Sequence, residues 1–422
     1  MLIKKIIQSI FKSDFVRNTA ILASGAVLAQ VISIFSAPIS SRVFSPENYG
    51  VLGVYMGISG VLGTLTFSHY PQAILIAKEE DEAQNLIWFC FFLAATISLV
   101  IGLAMSVILY FTDWLNDLGF WAYTIPVSIM LNAITTVLSV WANRTKQYKI
   151  ISKNRVVTAI FTISIQLAVG FFINKKFGLM AGLLTGQILG AVLLIWPFLF
   201  REEIKIRLPR PEFFKEYAWN YRRFIMYGTP ADFINNLFNQ LPVYFLSSMA
   251  GLSYVGNFSF AQRLLGLPAT LIGNSIADVF RQKASDVYRQ KGECSELFKK
   301  TGRTLFLIGI IPLIIMLLFA PQIFAFVFGE QWRKAGEMAR ILSPLFFFRI
   351  ILSPLSYLYT LAGRMREDLI IHVGSVGVIT LGFMVSNQFF SNKDLLLVGY
   401  SAAYFGIYLI YLTRSYQFSK GN

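Results

Sequence analysis

The chain has 422 residues, of which 55% are hydrophobic and only 14% charged, with a mean hydropathy of +0.60. A soluble domain carries roughly a quarter charged residues, and a membrane span takes about 20 apolar ones, so this length holds about a dozen spans and no sizeable extramembrane catalytic domain. The net charge of +15 has to be weighed against the positive-inside rule before nucleic acid is invoked.

Residues 1–18 set Leu2, Ile3, Ile6, Ile7 and Ile10 beside Lys4, Lys5 and Lys12. That is the pattern of a short amphipathic helix on the membrane surface rather than a cleavable signal. Twelve apolar runs follow, near 17–40, 49–76, 85–110, 120–143, 155–174, 178–200, 223–248, 252–280, 303–328, 336–361, 367–390 and 395–413. The charged, proline-bearing stretch 201–222 parts them six and six. The expected organisation is an amphipathic N-terminal segment (1–16), a first lobe (17–200), a cytoplasmic linker (201–222), a second lobe (223–416) and a cytoplasmic tail (417–422). The fold class is an all-α integral membrane protein of about 12 transmembrane helices in two six-helix lobes.

With the N-terminus in the cytoplasm, 28 of the 37 basic residues fall inside and six outside, and Arg263, Arg340 and Arg349 fall within spans. This bias fits a multi-pass protein of a bacterial cytoplasmic (inner) membrane with both termini cytoplasmic. Most of the charge is therefore topology, and no nucleic-acid partner is expected. The halves also echo each other. Ser45-Pro-Glu-Asn-Tyr-Gly50 opens span two as Leu252-Ser-Tyr-Val-Gly256 opens span eight, and Asn143-Arg144 leaves span four as Gly363-Arg364 leaves span ten. Six spans per half make such a duplication a parallel repeat about the membrane normal.

Polar side chains are costly in hydrocarbon, so polar stripes mark faces turned to water or to another helix. Span one carries Ser24, Gln30, Ser33 and Ser36 without a carboxylate, and Gly53, Gly57, Gly60 and Gly63 suit span two to close packing. Asn132, Thr135, Thr136, Ser139 and Asn143 share a face of span four. In span seven, Asp232, Asn235, Asn236, Asn239 and Gln240 fall at i, i+3, i+4, i+7 and i+8, after a Gly228-Thr229-Pro230 kink. The stripe reads as a hydrophilic lumen wall with Asp232 as a cation or proton site; the alternative is hydrogen bonding that glues the bundle. Span eight offers Gln262, Arg263, Thr270, Asn274 and Asp278, the last a second ion-coupling candidate. Arg263 lies about three turns deep, where a guanidinium needs an internal carboxylate or a ligand phosphate. Arg349, Ser353, Ser356 and Thr360 repeat the theme in span ten, where Pro344 and Pro354 permit bends and Arg340 lies near enough to the outer end to snorkel.

Absences narrow the chemistry. There is no phosphate-binding Gly-x-x-x-x-Gly-Lys-Ser/Thr loop. Cys90 and Cys294 suit no disulfide, and with only His69 and His372 besides, no metal-ligand spacing exists. No convergent catalytic carboxylates or histidines support a membrane-embedded glycan enzyme. A transporter is expected, with no catalytic residue, no metal and no cofactor beyond a coupling Na⁺ or H⁺.

On this two-lobe pattern, four segments resemble the polysaccharide-exporter branch of the multidrug/oligosaccharidyl-lipid/polysaccharide (MOP) superfamily, Wzx-type O-antigen flippases in particular. They are Asn18-Thr19, Arg42-Val-Phe-Ser-Pro-Glu-Asn-Tyr-Gly50, Phe177-Gly178-Leu-Met-Ala-Gly182 and Phe258-Ser-Phe-Ala-Gln262-Arg263-Leu-Leu-Gly-Leu-Pro268. The resemblance implies a MATE-like, V-shaped fold working by alternating access. Its substrate is an oligosaccharide repeat unit on undecaprenyl pyrophosphate, carried to the outer leaflet for O-antigen or a related polysaccharide, with ion-gradient coupling. Arg263 resembles the cavity arginine of lipid II flippases, whose dense span-one arginine cluster is absent here, a departure that points to a different glycolipid. The implied site sets Arg263 and Arg349 on the pyrophosphate and Asn235, Asn236, Asn239, Gln240, Asn274 and Asn132 on the sugars, with Asp232 or Asp278 binding the coupling ion. The implied partners are the lipid-linked glycan, the bilayer and the polysaccharide polymerase machinery, with a monomer as the working unit. The rival reading, a cation-coupled multidrug exporter of the same superfamily, calls for an acidic, apolar lumen.

Overall fold

The computed structural model describes residues 14–67, 70–112, 115–200, 211–222, 226, 228–389 and 393–421. Most of the expected amphipathic N-terminal segment and residues 201–210 of the linker lie outside the described residues, as do the side chains of Asn274 and Asp278. The described chain is helical and contains no strand. Ten of its helical segments are long and apolar enough to cross a membrane, which makes it a multi-pass membrane protein. By packing it divides into two units, residues 1–44 with 51–240, and residues 45–50 with 241–422.

The first unit holds α1 (Asp14–Val43), most of α2 (Pro46–Phe67), α3 (Tyr70–Ile76) and α4 (Glu80–Phe111). A 3-10 segment (Asn116–Thr124) leads to α5 (Ile125–Arg144), α6 (Tyr148–Phe172) and α7 (Lys175–Phe200), and α8 (Pro211–Asn220) follows. Span two is described as helix over residues 46–67 and 70–76, with Pro71, which cannot donate to a helical ladder, near the start of the second stretch. Tyr70, Ile74, Leu86, Phe89, Trp141 and Phe198 build one buried cluster, with Trp141 edge-on to Phe198 at 6.3 Å. Arg144 closes the C-terminal end of α3, its Nη1 donating to the carbonyls of Ile74 (2.7 Å) and Ala77 (2.9 Å). The stretch after residue 210 is tied to this unit by tyrosines. Tyr70 donates to the Ala218 carbonyl at 3.2 Å, and Tyr221 to Glu82 at 2.7 Å. Burial, reinforced by that carboxylate, pushes the Tyr221 phenol up to about 12.

In lipid, helices gain little from merely apolar contact and associate through close packing. The tightest example joins α6 and α7. Gly178, Gly182, Gly186 and Gly190 recur every fourth residue on α7, and a methyl group at any of them would press on Gln166, Thr162, Thr158 or a carbonyl of α6. The approach lets Asn154 Nδ2 donate to the Gly190 carbonyl at 2.6 Å. By contrast, Gly60 of the span-two series is exposed, with open space where a side chain would go.

Helix α9 (Thr229–Ala250) is shared, its polar part as far as Gln240 falling in the first unit, and the second unit holds the rest of it with α10 (Leu252–Lys291), α11 (Ser295–Phe328), α12 (Arg333–Leu355), α13 (Tyr357–Leu361), α14 (Met365–Phe389) and α15 (Lys393–Ser419). At 22 and 40 residues α9 and α10 are long enough to cross a bilayer although more polar than the other spans. Helix α10 outruns the apolar run 252–280 because no stop signal occurs before Gly292, whose φ of 71° ends it in the left-handed conformation. The two motifs that open spans two and eight pack on each other in this unit. Gly50 lies against the Leu252 carbonyl and Gly256 against that of Pro46, approaches only glycine allows. Beside them Tyr49 meets Phe260 and Trp332 edge-on, each at 5.2 Å, and Trp332 is fully buried.

Filling the α6–α7 contact, as in Gly182→Leu, is expected to cost about 1–3 kcal/mol or more through overpacking. The apparent Tm in detergent should drop, whereas Gly60→Leu should leave it unchanged.

Candidate functional site

The span-ten stripe is formed by α12 and α13 with a break at Ser356, two residues after Pro354. Arg349, Ser353, Ser356 and Thr360 all open onto one cavity of about 570 Å³ in the second unit, a volume in the usual range for small-molecule sites. Its other walls come from α10 through Arg281, α14 through Asp368 and His372, and α15 through Tyr408 and Tyr411. Arg349 is exposed to this space, with its guanidinium 5.8 Å from the Phe346 ring. It makes no hydrogen bond or ion pair with another described residue. Arg281 stands 5.9 Å from the Tyr357 ring, and the Tyr357 hydroxyl lies 3.2 Å from Ser285 Oγ.

The facing wall is a closed hydrogen-bonded group. Tyr411 donates to Asp368 Oδ1 at 2.8 Å and lies 2.6 Å from His372 Nδ1, which is 3.4 Å from the same carboxylate. Beside it Glu367 pairs with Arg414. The fixed charges lining the cavity are therefore two cations and one anion, an arrangement suited to a small anionic group and unsuited to an organic cation.

The structure does not bring Arg263 to this cavity. Gly266 of α10 faces Phe346 of α12 and Gly273 faces Ser353, so the helices run side by side in one direction. On that register Arg349 lies about 9 Å along the axis from Arg263 and about 18 Å from Arg281, at 1.5 Å per residue. Arg263 is exposed and, among the described residues, has no hydrogen-bond or ion-pair partner. It shares a face of α10 with Arg281, eighteen residues or five turns on. Asn274 and Asp278 are helical between these two, with side chains outside the described residues. Arg340 takes another course, bonding the Leu318 carbonyl of α11 at 3.2 Å.

On α9 much of the polar stripe is exposed. Asp232, Asn235 and Asn239 are exposed, and Asn236 and Gln240 half-exposed. Asn236 donates to the Asp232 carbonyl at 3.0 Å and Asn239 to that of Asn235 at 2.8 Å, one turn back on their own helix. These bonds are not interhelical glue. Asn132 on α5 is half-buried in the first unit.

Arg281, Asp368, His372 and Tyr411 escaped the sequence reading. Arg281 counted as a cytoplasmic loop cation, and the other three come from helices that only folding assembles. The one sequence signal was the Asp368–His372 spacing of four, which places both on one helical face.

Comparison with solved structures defines the class. An inward-facing multidrug resistance MATE family transporter of the MOP superfamily aligns over 94% of this chain and 98% of its own, with a TM-score of 0.66 and 15% identity. The lipid II flippase MurJ in an inward closed conformation aligns over 94% and 89%, with a TM-score of 0.70 and 12% identity. A MOP superfamily transporter from Pyrococcus furiosus, described as having a binding pocket of reversed polarity that suggests a different function, gives 94%, 92%, 0.55 and 11%. The fold is that of the MATE and MurJ transporters. The family model for polysaccharide biosynthesis proteins matches residues 39–337, and the chain belongs to that family. No curated protein sequence matches it.

Because the Asn239 amide bonds only its own helix, Asn239→Leu is expected to change folding stability by no more than about 0.5 kcal/mol. Transport should fall if the α9 face lines a water-filled path, so Tm and export measured on the same variant separate the two roles.

Proposed function

We propose that this protein is a flippase for isoprenoid-pyrophosphate-linked oligosaccharide repeat units. It would carry O-antigen or a related polysaccharide precursor from the cytoplasmic to the outer leaflet of a bacterial inner membrane, with both its own termini cytoplasmic. The observation that carries this reading is Arg349, an exposed guanidinium without a described partner, opening with Arg281 onto an open cavity of about 570 Å³ walled by hydroxyl-bearing and charged side chains. A guanidinium at membrane depth is costly unless an anion completes it, and its planar fork suits phosphate oxygens. The family supplies the biosynthetic context. The lipid II flippase among the structural relatives supplies a lipid-linked precedent.

In this mechanism the pyrophosphate pairs with the arginines of the second unit while the polyprenyl chain stays in lipid. Sugar hydroxyls exchange hydrogen bonds with exposed amides such as Asn235 and Asn239. Movement of the helix units exposes the head group to the outer side, and a Na⁺ or proton at Asp232 or Asp278 resets the cycle. The balance of two arginines against one carboxylate in the cavity disfavours the multidrug-cation reading.

Arg349→Ala is expected to remove a charge-assisted contact worth about 1.5–3 kcal/mol, hence about 10- to 150-fold in head-group affinity. In a strain lacking its own copy, Arg349→Ala and Arg263→Ala should each reach the membrane yet fail to restore surface polysaccharide, with lipid-linked repeat units accumulating inside. Full restoration by the Arg263→Ala, Arg349→Ala double variant would overturn the assignment.

A further inference from the structure

The wall facing the arginines carries a hydrogen-bonded chain with one open end. Tyr411 donates its proton to Asp368 Oδ1 at 2.8 Å, so its oxygen is left to accept, and His372 Nδ1 stands 2.6 Å away. The donor at that contact is therefore the imidazole Nδ1–H, which also points to the Asp368 carbonyl at 3.0 Å. This network assigns the tautomer and leaves the free lone pair on Nε2. Among the described residues none bonds to Nε2, and the His372 side chain is 39% exposed beside the cavity. Protonating Nε2 breaks none of these bonds and adds a full charge to the wall.

The surrounding groups leave His372 as the one that changes charge. Arg281 on α10 and Arg349 on α12 are cationic at any physiological pH, and Asp368 is held as the acceptor of Tyr411. Tyr357 and Tyr359 on α13 and Tyr408 on α15 are phenols, neutral in that range. The neighbouring Glu367 is committed to Arg414. An ordinary imidazole titrates between about pH 5 and 8, so the cavity passes from one net positive charge to two on His372 alone.

We propose that His372 is a proton-binding site linked to the anion site: a proton taken up at Nε2 tightens the cavity's hold on a phosphate-bearing head group, and its loss loosens it. The inference rests on the anion-binding role proposed above. The step moves one proton from hydronium in the cavity to the Nε2 lone pair, forming an N–H bond and leaving water, with nothing oxidised. Linkage makes the effect reciprocal, so a bound anion raises the proton affinity of His372. This adds a proton site to the carboxylates Asp232 and Asp278.

The test uses the full-length protein in detergent with two probes, farnesyl diphosphate as an isoprenoid head group and sulfate as an anion of constant charge. Affinity is measured between about pH 5.5 and about pH 8.5, which brackets an ordinary histidine. In the wild type, sulfate binding should weaken about tenfold across that range, inside the span usual for coupled sites, and in His372→Gln it should be flat. A His69→Gln background leaves His372 as the single histidine for NMR titration, where saturating sulfate should move its midpoint upward. Tyr411→Phe, which keeps the imidazole but removes the bridging hydroxyl, should shift the pH midpoint of binding without abolishing it. Equal affinity at every pH in the wild type, or an unmoved histidine midpoint, overturns the proton linkage and leaves the anion site standing. Failure of both probes to bind at any pH overturns the anion site and the linkage with it.

Discussion

Hydrocarbon offers a polar group no hydrogen bond, and every charge in this chain is disposed by that fact. Helices satisfy their own backbones, which is why the described chain contains nothing but helices and short connections. Side-chain charges have to be satisfied one by one. Arg144 is spent on the end of α3, and Arg340 on a carbonyl of α11. Lys334 bridges Glu337 and Asp394 at 2.9 and 2.6 Å, and Arg414 is matched by Glu367. Arg263 and Arg349, by contrast, are exposed and have no hydrogen-bond or ion-pair partner among the described residues.

The same medium explains how the units are held together. Apolar contact between helices displaces lipid that is just as apolar, so the gain comes from shape and from the few polar bonds that close approach permits. The glycine ridge of α7 supplies the first and the Asn154–Gly190 bond the second. Around residues 45–50 and 252–256 the principle recurs with aromatic rings added, Tyr49 edge-on to both Phe260 and Trp332. Within the second unit, the cavity walls on α10 and α12 approach each other where Gly266 meets Phe346 and Gly273 meets Ser353. A phosphate site needs that preorganisation, because guanidinium geometry is wasted on a mobile frame.

What the sequence disclosed and what it hid follow from one distinction. A stripe on a single helix is set by 3.6-residue periodicity, so Arg349, Ser353, Ser356 and Thr360 were visible as a unit, as were the amides of α9. The spans were visible for the same reason, apart from the break at Ser356. A cluster assembled from several helices has no such signature. Asp368 and His372 shared a face, but Tyr411 lies about forty positions further on, and its hydroxyl bonds to both of them. Arg281 was hidden by a boundary: apolarity fades near residue 280 while the helix runs on to Lys291. The four-residue glycine series of α7 could have been read, but only α6 shows which face it serves.

On the proposed function, the axial spacing of the arginines bears on how a head group would move as well as on where it would bind. Arg263, Arg349 and Arg281 follow one another along the paired helices at steps of about 9 and 18 Å. These are steps between backbones: the side chains of Arg349 and Arg281 open onto one cavity, and Arg263 stands apart from it. The positive charge is thus offered in two places rather than gathered in one. Passage requires just this, since a site that gathers every cation into one well binds tightly and releases slowly, whereas several weaker ones let the charge be handed on. Arginine suits the task better than lysine, because its delocalised charge is more weakly hydrated and loses less when water is exchanged for phosphate oxygens. On the proposed function, the low charged fraction of the chain and the spread of these arginines are two sides of one requirement: enough positive charge to draw a pyrophosphate into the membrane, and not enough in any one place to keep it there.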